Sequence, residues 1–263
     1  MTSSSSKVAT RPSMAWVCCM GSAPAAWDEN GTRVRYDEAV YEPLLQPPSH
    51  IRFGGVDGEL LDVATFEERL GFTLTASIEA AAPELIRNLP LDNLPADALP
   101  PELMPDPLLC EALAHAVRSG SAANVFVAPD AYGGHGLFAA ANLEPASLVG
   151  EYVGTLCRGT AAAATDPFIM SYPGAAGALY LTAKDAGSLA RFINHAPRGS
   201  ATNNATCWAV LVDGAYHVCV VTTTTIQAGD EIFYDYGKDY WARRSPALTV
   251  GCDGPRDLHD PVQ

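Results

Sequence analysis

From Asn124 to Tyr236 the chain passes through a series of short β-prone runs, NVFVA, SLVGEYVG, ALYLTA, CWAVLV, AYHVCVVTTTTI and EIFYDY, with no regular helical pattern between them. Strands that alternate with helices build a doubly wound parallel sheet. Strands joined by irregular Gly/Pro-rich segments build several small sheets, and that architecture is expected here. Asp213-Gly214 stands between two of the runs. Both central residues of a type I′ turn need positive φ, so this pair is a strong hairpin signal.

Ahead of Gly120 the character is different. Residues 1–15 begin MTSSSSKVATRPS, too poor in apolar side chains to pack, and are expected to be disordered. Residues 16–120 read as an alanine-rich, acidic, partly helical accessory region. TFEERLGFTLTASIEAAAPELIRNL opens with Thr65 and Glu68 at capping-box spacing. DPLLCEALAHAVRSG is a stronger helix, with Asp106 as N-cap, Pro107 as first helical residue and Gly120 as terminator. Its apolar stripe is Leu109, Ala112, Leu113, Ala116 and Val117, and His115 reads as a surface or packing residue and not a ligand. The proline-rich LPLDNLPADALPPELMPDP between the two reads as a linker. The β-prone domain occupies 121–243, and 244–263 form a tail.

The totals exclude several classes of function. The net charge is −14 and the local basic cluster is confined to Arg243-Arg244, which opposes direct nucleic-acid binding and favours basic partners. Seven cysteines without CxxC or Cys/His spacing suit reduced thiols inside the cell and no structural metal. No apolar run reaches the length of a membrane span. Lys7 and Arg11 ahead of MAWVCCMG imitate a secretory leader, but the apolar run is too short, so none is expected. There is no P-loop, HExxH or GxSxG, and Gly134-His135-Gly136 has no third glycine in register for a dinucleotide.

LARFINHAPRGSATNNATCW poses a sharper problem, because it sets Arg191, Asn194, His195, Asn203 and Asn204 beside Phe192, Ile193 and Trp208. Polar groups buried among bulky apolar ones need hydrogen-bond partners. Taken with GGHGLFAAANLEPASLVGEYVG (133–154), RFINH (191–195) and AGDEIFYDYG (228–237) in that order, the stretch from Asn124 to Trp241 resembles the SET-domain family of protein lysine methyltransferases. The resemblance implies a mainly β fold with some α: several small sheets and a knot-like C-terminal crossing, preceded by a helical N-terminal region. It implies an intracellular enzyme, nuclear or cytoplasmic, that uses S-adenosyl-L-methionine to methylate a lysine in a basic, histone-like protein or peptide.

Residue by residue, it implies that Gly134, His135, Gly136 and Leu137 cradle the donor, glycine allowing close approach. Asn194 and His195 would contact the donor's adenine and amino-acid portions, largely through main chain and the asparagine amide. Tyr236 would line the transfer site and orient the lysine nitrogen. Tyr234 stands where tyrosine accompanies monomethylation, and Tyr152 is a channel wall. Arg191 would brace the fold. The pattern departs from the family at Ala196, where serine is usual, at Thr182 and Ser188, and in the longer loop APRGSATNN, which leaves Asn203 and Asn204 both eligible for the family asparagine. The zinc-binding cysteine cluster that often follows the domain is missing, so Tyr240 and Trp241 become the candidate lid. A catalytically silent SET-fold module that binds a protein is the alternative.

Overall fold

The computed structural model describes residues 17–18, 45–80, 107–158, 166–172, 179–212, 215–238 and 240–241. Residues 1–15, the proline-rich stretch expected as a linker, Asp106, Asp213-Gly214, Arg243-Arg244 and residues 244–263 therefore lie outside the described residues. Among the described residues short strands dominate, gathered into three four-stranded and two two-stranded sheets. No helix among the described residues is long and apolar enough to cross a membrane.

The longest pairing is the antiparallel hairpin of Ala205–Val212 with Ala215–Thr222, whose register joins Trp208 to Cys219 and Val212 to Ala215. Alternate residues point to opposite faces. Cys207, Ala209, Tyr216, Val218 and Val220 face the main core. Trp208, Val210, Cys219 and Val221 face the helix Pro107–Ser119. Burial on both faces explains why CWAV and VCVV read as unbroken apolar runs.

That helix starts at Pro107 and stops at Gly120, whose φ of +67° is the left-handed conformation that ends helices. Its buried line is Leu113, Ala114 and Val117, with Leu109 and Ala116 at the margin. Ala112, expected in the stripe, is exposed, and Ala114 takes its place. The earlier helix is also shifted. It runs Val63–Leu70, and Asp62, not Thr65, is the N-cap, accepting the Thr65 amide at 2.8 Å. Gly71 ends it at φ +65°, after which the β-prone FTLT turns the chain into strand.

Residues 45–80 thus contain one helix of eight residues and four short strands. Three of these strands pair across Gly120, and Glu59–Asp62 pairs antiparallel with His50–Phe53. His50–Phe53 lies parallel to Val125–Pro129, Thr73–Leu74 parallel to Ala186–Gly187, and Glu79–Ala80 parallel to the strand Thr155–Arg158. The change of composition at Gly120 is therefore crossed by the sheets. The same residues supply Phe66 and Phe72, which meet Phe192 edge-on at ring separations of 6.0 and 5.4 Å. Arg191 lays its guanidinium over Phe72 and Phe168 at 4.2 and 4.1 Å, a bracing contact of the cation–π kind. Phe192 and Arg191 belong to the 3-10 turn Leu189–Phe192, capped by Ser188, whose hydroxyl donates to the Glu151 carbonyl. The turn is clamped from both sides immediately before Asn194.

Candidate active site

Asn194–His195 forms a two-residue parallel ladder with Phe233–Tyr234, Asn194 opposite Phe233 and His195 opposite Tyr234. Asn204 ties this ladder from outside. Its amide nitrogen donates to the Glu231 carbonyl and its amide oxygen accepts the Phe233 N–H, both at 2.8 Å. Asn203 instead donates to the Ala196 carbonyl within its own loop. The long loop therefore assigns its two asparagines different partners.

On one side of the ladder lies a polar cluster. Asp130 Oδ1 accepts the amides of Tyr132 and Gly134 at 2.8 Å, an Asx-type turn that shapes the glycine loop. The Asn194 Nδ2 donates to Asp130 Oδ2 at 3.0 Å and to Glu231 Oε1 at 2.8 Å. Both donor hydrogens are used, so Asn194 Oδ1 is the atom with which this side chain can accept from a ligand. A Cβ added at Gly136 would sit 2.3 Å from Glu231 Oε1, and one at Gly134 would sit 3.1 Å from Asp130 Oδ2. These glycines make room for carboxylates. Burial pushes the Glu231 carboxyl above its ordinary range, against the Asn194 hydrogen bond that pulls it down. Two carboxylates and an amide oxygen in one place suit a cationic group.

Two of the expected donor residues turn their side chains elsewhere. The His135 ring packs towards Phe53 and Phe192, at 5.8 and 6.4 Å, and burial lowers its pKa. Only its carbonyl approaches Asn194, at 3.5 Å. Leu137 is 1% exposed in the core, its carbonyl accepting the Ile232 amide.

On the other side of the ladder the aromatic residues converge. Tyr236 donates its hydroxyl to the Ile193 carbonyl at 2.8 Å and its amide to His195 Nδ1 at 3.1 Å. Its ring lies 5.0 Å from Tyr234, 4.7 Å from Tyr240 and 5.2 Å from His195, and is nearly parallel to Trp241 at 6.5 Å. Tyr240 reaches the Pro167 carbonyl with its hydroxyl at 3.1 Å, which draws the C-terminal turn across residues 166–168. Trp241 is 42% exposed and forms the outer edge. Tyr152 is buried and donates to the Phe168 carbonyl at 2.7 Å. Burial, and next the neighbouring Tyr236, raises its pKa well above the phenol value. Tyr234 is raised likewise, by burial first and then by Cys207 and Tyr236. The walls therefore stay uncharged and apolar, with hydroxyls at fixed points.

The structure thus gathers Gly134, Gly136, Asn194, His195, Tyr234, Tyr236 and Trp241 around one ladder. Asp130 and Glu231 complete the cluster and were not singled out from the sequence. Their signals were modest: an aspartate after proline and ahead of Gly133-Gly134, and an acidic residue just before an apolar strand.

Comparison with known proteins places this region. Residues 134–237 match the family model of the SET domain. The curated protein "Histone-lysine N-methyltransferase, H3 lysine-4 specific" of Cryptococcus neoformans var. neoformans serotype D (strain B-3501A) is 30% identical over 126 residues, 45% of this chain and 8% of that protein. Among solved structures, polycomb repressive complex 2 of Chaetomium thermophilum is similar in two forms. In an autoinhibited conformation bound to S-adenosylmethionine, it is 26% identical with a TM-score of 0.38, over 46% of this chain and 16% of that one. Its crystal structure is 24% identical with a TM-score of 0.42, over 55% and 19%. The chain thus spans less than a tenth of the curated relative and under a fifth of those chains.

Proposed function

Taking as premise that residues 134–237 are a SET domain, we propose that this chain is an S-adenosyl-L-methionine-dependent protein lysine methyltransferase that adds one methyl group to a lysine of a basic, histone-like protein. The observation that carries the proposal is the fixing of Tyr236. Hydroxyl to Ile193 and amide to His195, it stands between the Asn194 cluster and the ring of Tyr152, Tyr234, Tyr240 and Trp241.

The residues fit the donor. Asn194 Oδ1, Asp130 and Glu231 suit its ammonium group, the glycines at 134 and 136 leave those carboxylates in place, and the rings of Tyr236, His195 and Trp241 offer an aromatic wall. The donor supplies a methyl group on a sulfonium. What remains for the protein is to deliver lysine as a free amine, in line, away from water. Neutralising a lysine at pH 7 costs on the order of 4–5 kcal/mol from its reference pKa. Buried, uncharged tyrosines reduce that cost by disfavouring the ammonium form. The Tyr236 hydroxyl spends its hydrogen on Ile193, so its oxygen can accept from the amine and orient it. Tyr234 brings a second buried hydroxyl, which occupies the room that further methyl groups would need. The net charge of −14 attracts a basic substrate tail. The curated relative's name supports a histone as its class, and a nuclear location would follow from that.

The test is incubation of the full chain with isotopically labelled S-adenosylmethionine and a panel of basic proteins including core histones, read by mass spectrometry, with donor binding measured by calorimetry. One methyl on a lysine is expected, lost in Tyr236→Phe while that variant remains folded. Wild-type transfer by Tyr236→Phe would remove the assigned role of that hydroxyl. Absence of both label and donor binding would reject the enzyme in favour of a silent binding module.

A further inference from the structure

The imidazole of His195 has a position that main-chain contact with a donor does not explain. It sits where the Asn194–His195 strand meets the C-terminal turn, 5.2 Å from the Tyr236 ring and edge-on to Trp241 at 5.0 Å. Its Nδ1 faces the Tyr236 N–H at 3.1 Å, which only an unprotonated Nδ1 can accept. The ring is therefore the neutral tautomer with its proton on Nε2. The carboxylate of Asp235 lies next in line, its Oδ1 3.8 Å from Nδ1, beyond hydrogen-bond distance. That carboxylate is engaged elsewhere: Oδ1 accepts the Gly237 amide at 2.8 Å and Oδ2 the Arg198 amide at 3.0 Å. Gly237 has φ +84° and opens the turn that leads to Tyr240 and Trp241.

We propose that His195 is a positioning residue: its neutral imidazole latches the Tyr236 backbone and supports Trp241, and a proton on Nδ1 opens this latch. Protonation sets two N–H groups against each other at the present 3.1 Å contact. The new donor can turn only to Asp235 or to the Tyr234 carbonyl, which are the groups among the described residues that favour the charged ring. Asp235 meets it by giving up the Gly237 amide, and the turn carrying Tyr240 and Trp241 shifts with it. Among the described residues, Tyr236 and the apolar Trp241 are the other side chains in ring contact with it. Burial outweighs Asp235 and holds the His195 pKa below the ordinary histidine value. The latch is thus closed at neutral pH and opens on the acid side of the free histidine range.

The consequence for methyl transfer rests on the proposed function, whereas the latch does not, and the experiment separates the two. In the full chain labelled with nitrogen-15, the His195 ring, the Tyr236 amide and the fluorescence of Trp241 (with Trp241→Phe as blank) are followed from neutral to mildly acidic pH. All three should move with one midpoint. His195→Asn offers an amide oxygen near the Nδ1 position with nothing to titrate, and should keep the Tyr236 amide in place and abolish the transition. A Tyr236 amide that ignores the titration of His195 would overturn the proposal, as would an unchanged transition in His195→Asn. In the transfer assay the substrate amine alone makes the rate fall about tenfold per pH unit, and the latch adds a second such factor below its midpoint. The steeper limb should disappear in His195→Asn, and its persistence there would also overturn the proposal. Failure to find either methyl transfer or donor binding, with the spectroscopic coupling intact, would reject the enzyme reading and leave the latch standing.

Discussion

Gly136→Ala tests how the polar cluster is built. The added Cβ would fall 2.3 Å from Glu231 Oε1 and 2.8 Å from its carboxyl carbon, with Phe138 Cε2 at 3.0 Å. The carboxylate is the end of a flexible side chain, so it yields, but a retreat of about 1 Å takes Oε1 out of the range of Asn194 Nδ2. A hydrogen bond to a charged acceptor contributes about 1.5–3 kcal/mol. Replacing glycine by alanine returns about 0.4–1 kcal/mol through the unfolded chain, since Gly136 is not among the residues with positive φ. The expected loss is therefore about 1–2 kcal/mol. In a Glu231→Ala background the Cβ has no carboxylate to displace, and its cost should nearly vanish. Urea unfolding of the wild type, both single variants and the double variant gives the coupling. The Phe138 contact is present in both backgrounds and cancels. Costs that add within about 0.3–0.5 kcal/mol, the spread usual for independent sites, would show that Gly136 is needed for some other reason.

Two further outcomes follow from the same geometry. Tyr234→Phe removes a hydroxyl from a side chain that is 7% exposed, and should raise the share of di- and trimethylated product; an unchanged product ratio by mass spectrometry would remove Tyr234 as the limit on methyl count. Glu231→Gln concerns a carboxyl whose pKa the fold raises, so the native state favours its protonated form. That contribution is complete below the ordinary carboxyl range and is lost as pH rises through the raised value. The glutamine variant should accordingly melt higher than wild type at neutral pH, with the difference closing in acid, and a constant difference across pH would contradict this.

The sequence carried the hairpin and the helix Pro107–Ser119 well, because each is announced locally: Asp213-Gly214 between apolar runs, and proline and glycine at the two ends of a periodic stripe. It carried the aromatic half of the site well too, since Tyr234, Tyr236 and Trp241 lie within eight residues of one another and their clustering needs only one ladder. Asp130 and Glu231 were harder, because what makes them part of the site is Asn194, 64 and 37 residues away. No local pattern encodes such a meeting. Asp62 was lost to a competing pattern, Thr65 and Glu68 having the spacing of a capping box while the helix had already begun at Val63. Three strands of residues 50–80, His50–Phe53, Thr73–Leu74 and Glu79–Ala80, were hidden because they pair with strands beyond Gly120, where the sheet and not local propensity fixes conformation.

The ladder of Asn194–His195 with Phe233–Tyr234 also sets an order in time. A chain is synthesised from its N-terminus at about 5–20 residues per second. When Asn194 and His195 leave the ribosome they have no partner strand, and Asn204 has nothing to bridge, until Phe233 and Tyr234 follow. Contacts so distant in sequence are the slow ones to form. The candidate site is therefore among the last parts of the molecule to assemble. A nascent chain stalled or cut short before Phe233 would lack this ladder, and with it the place where Asn194, His195 and Tyr236 meet.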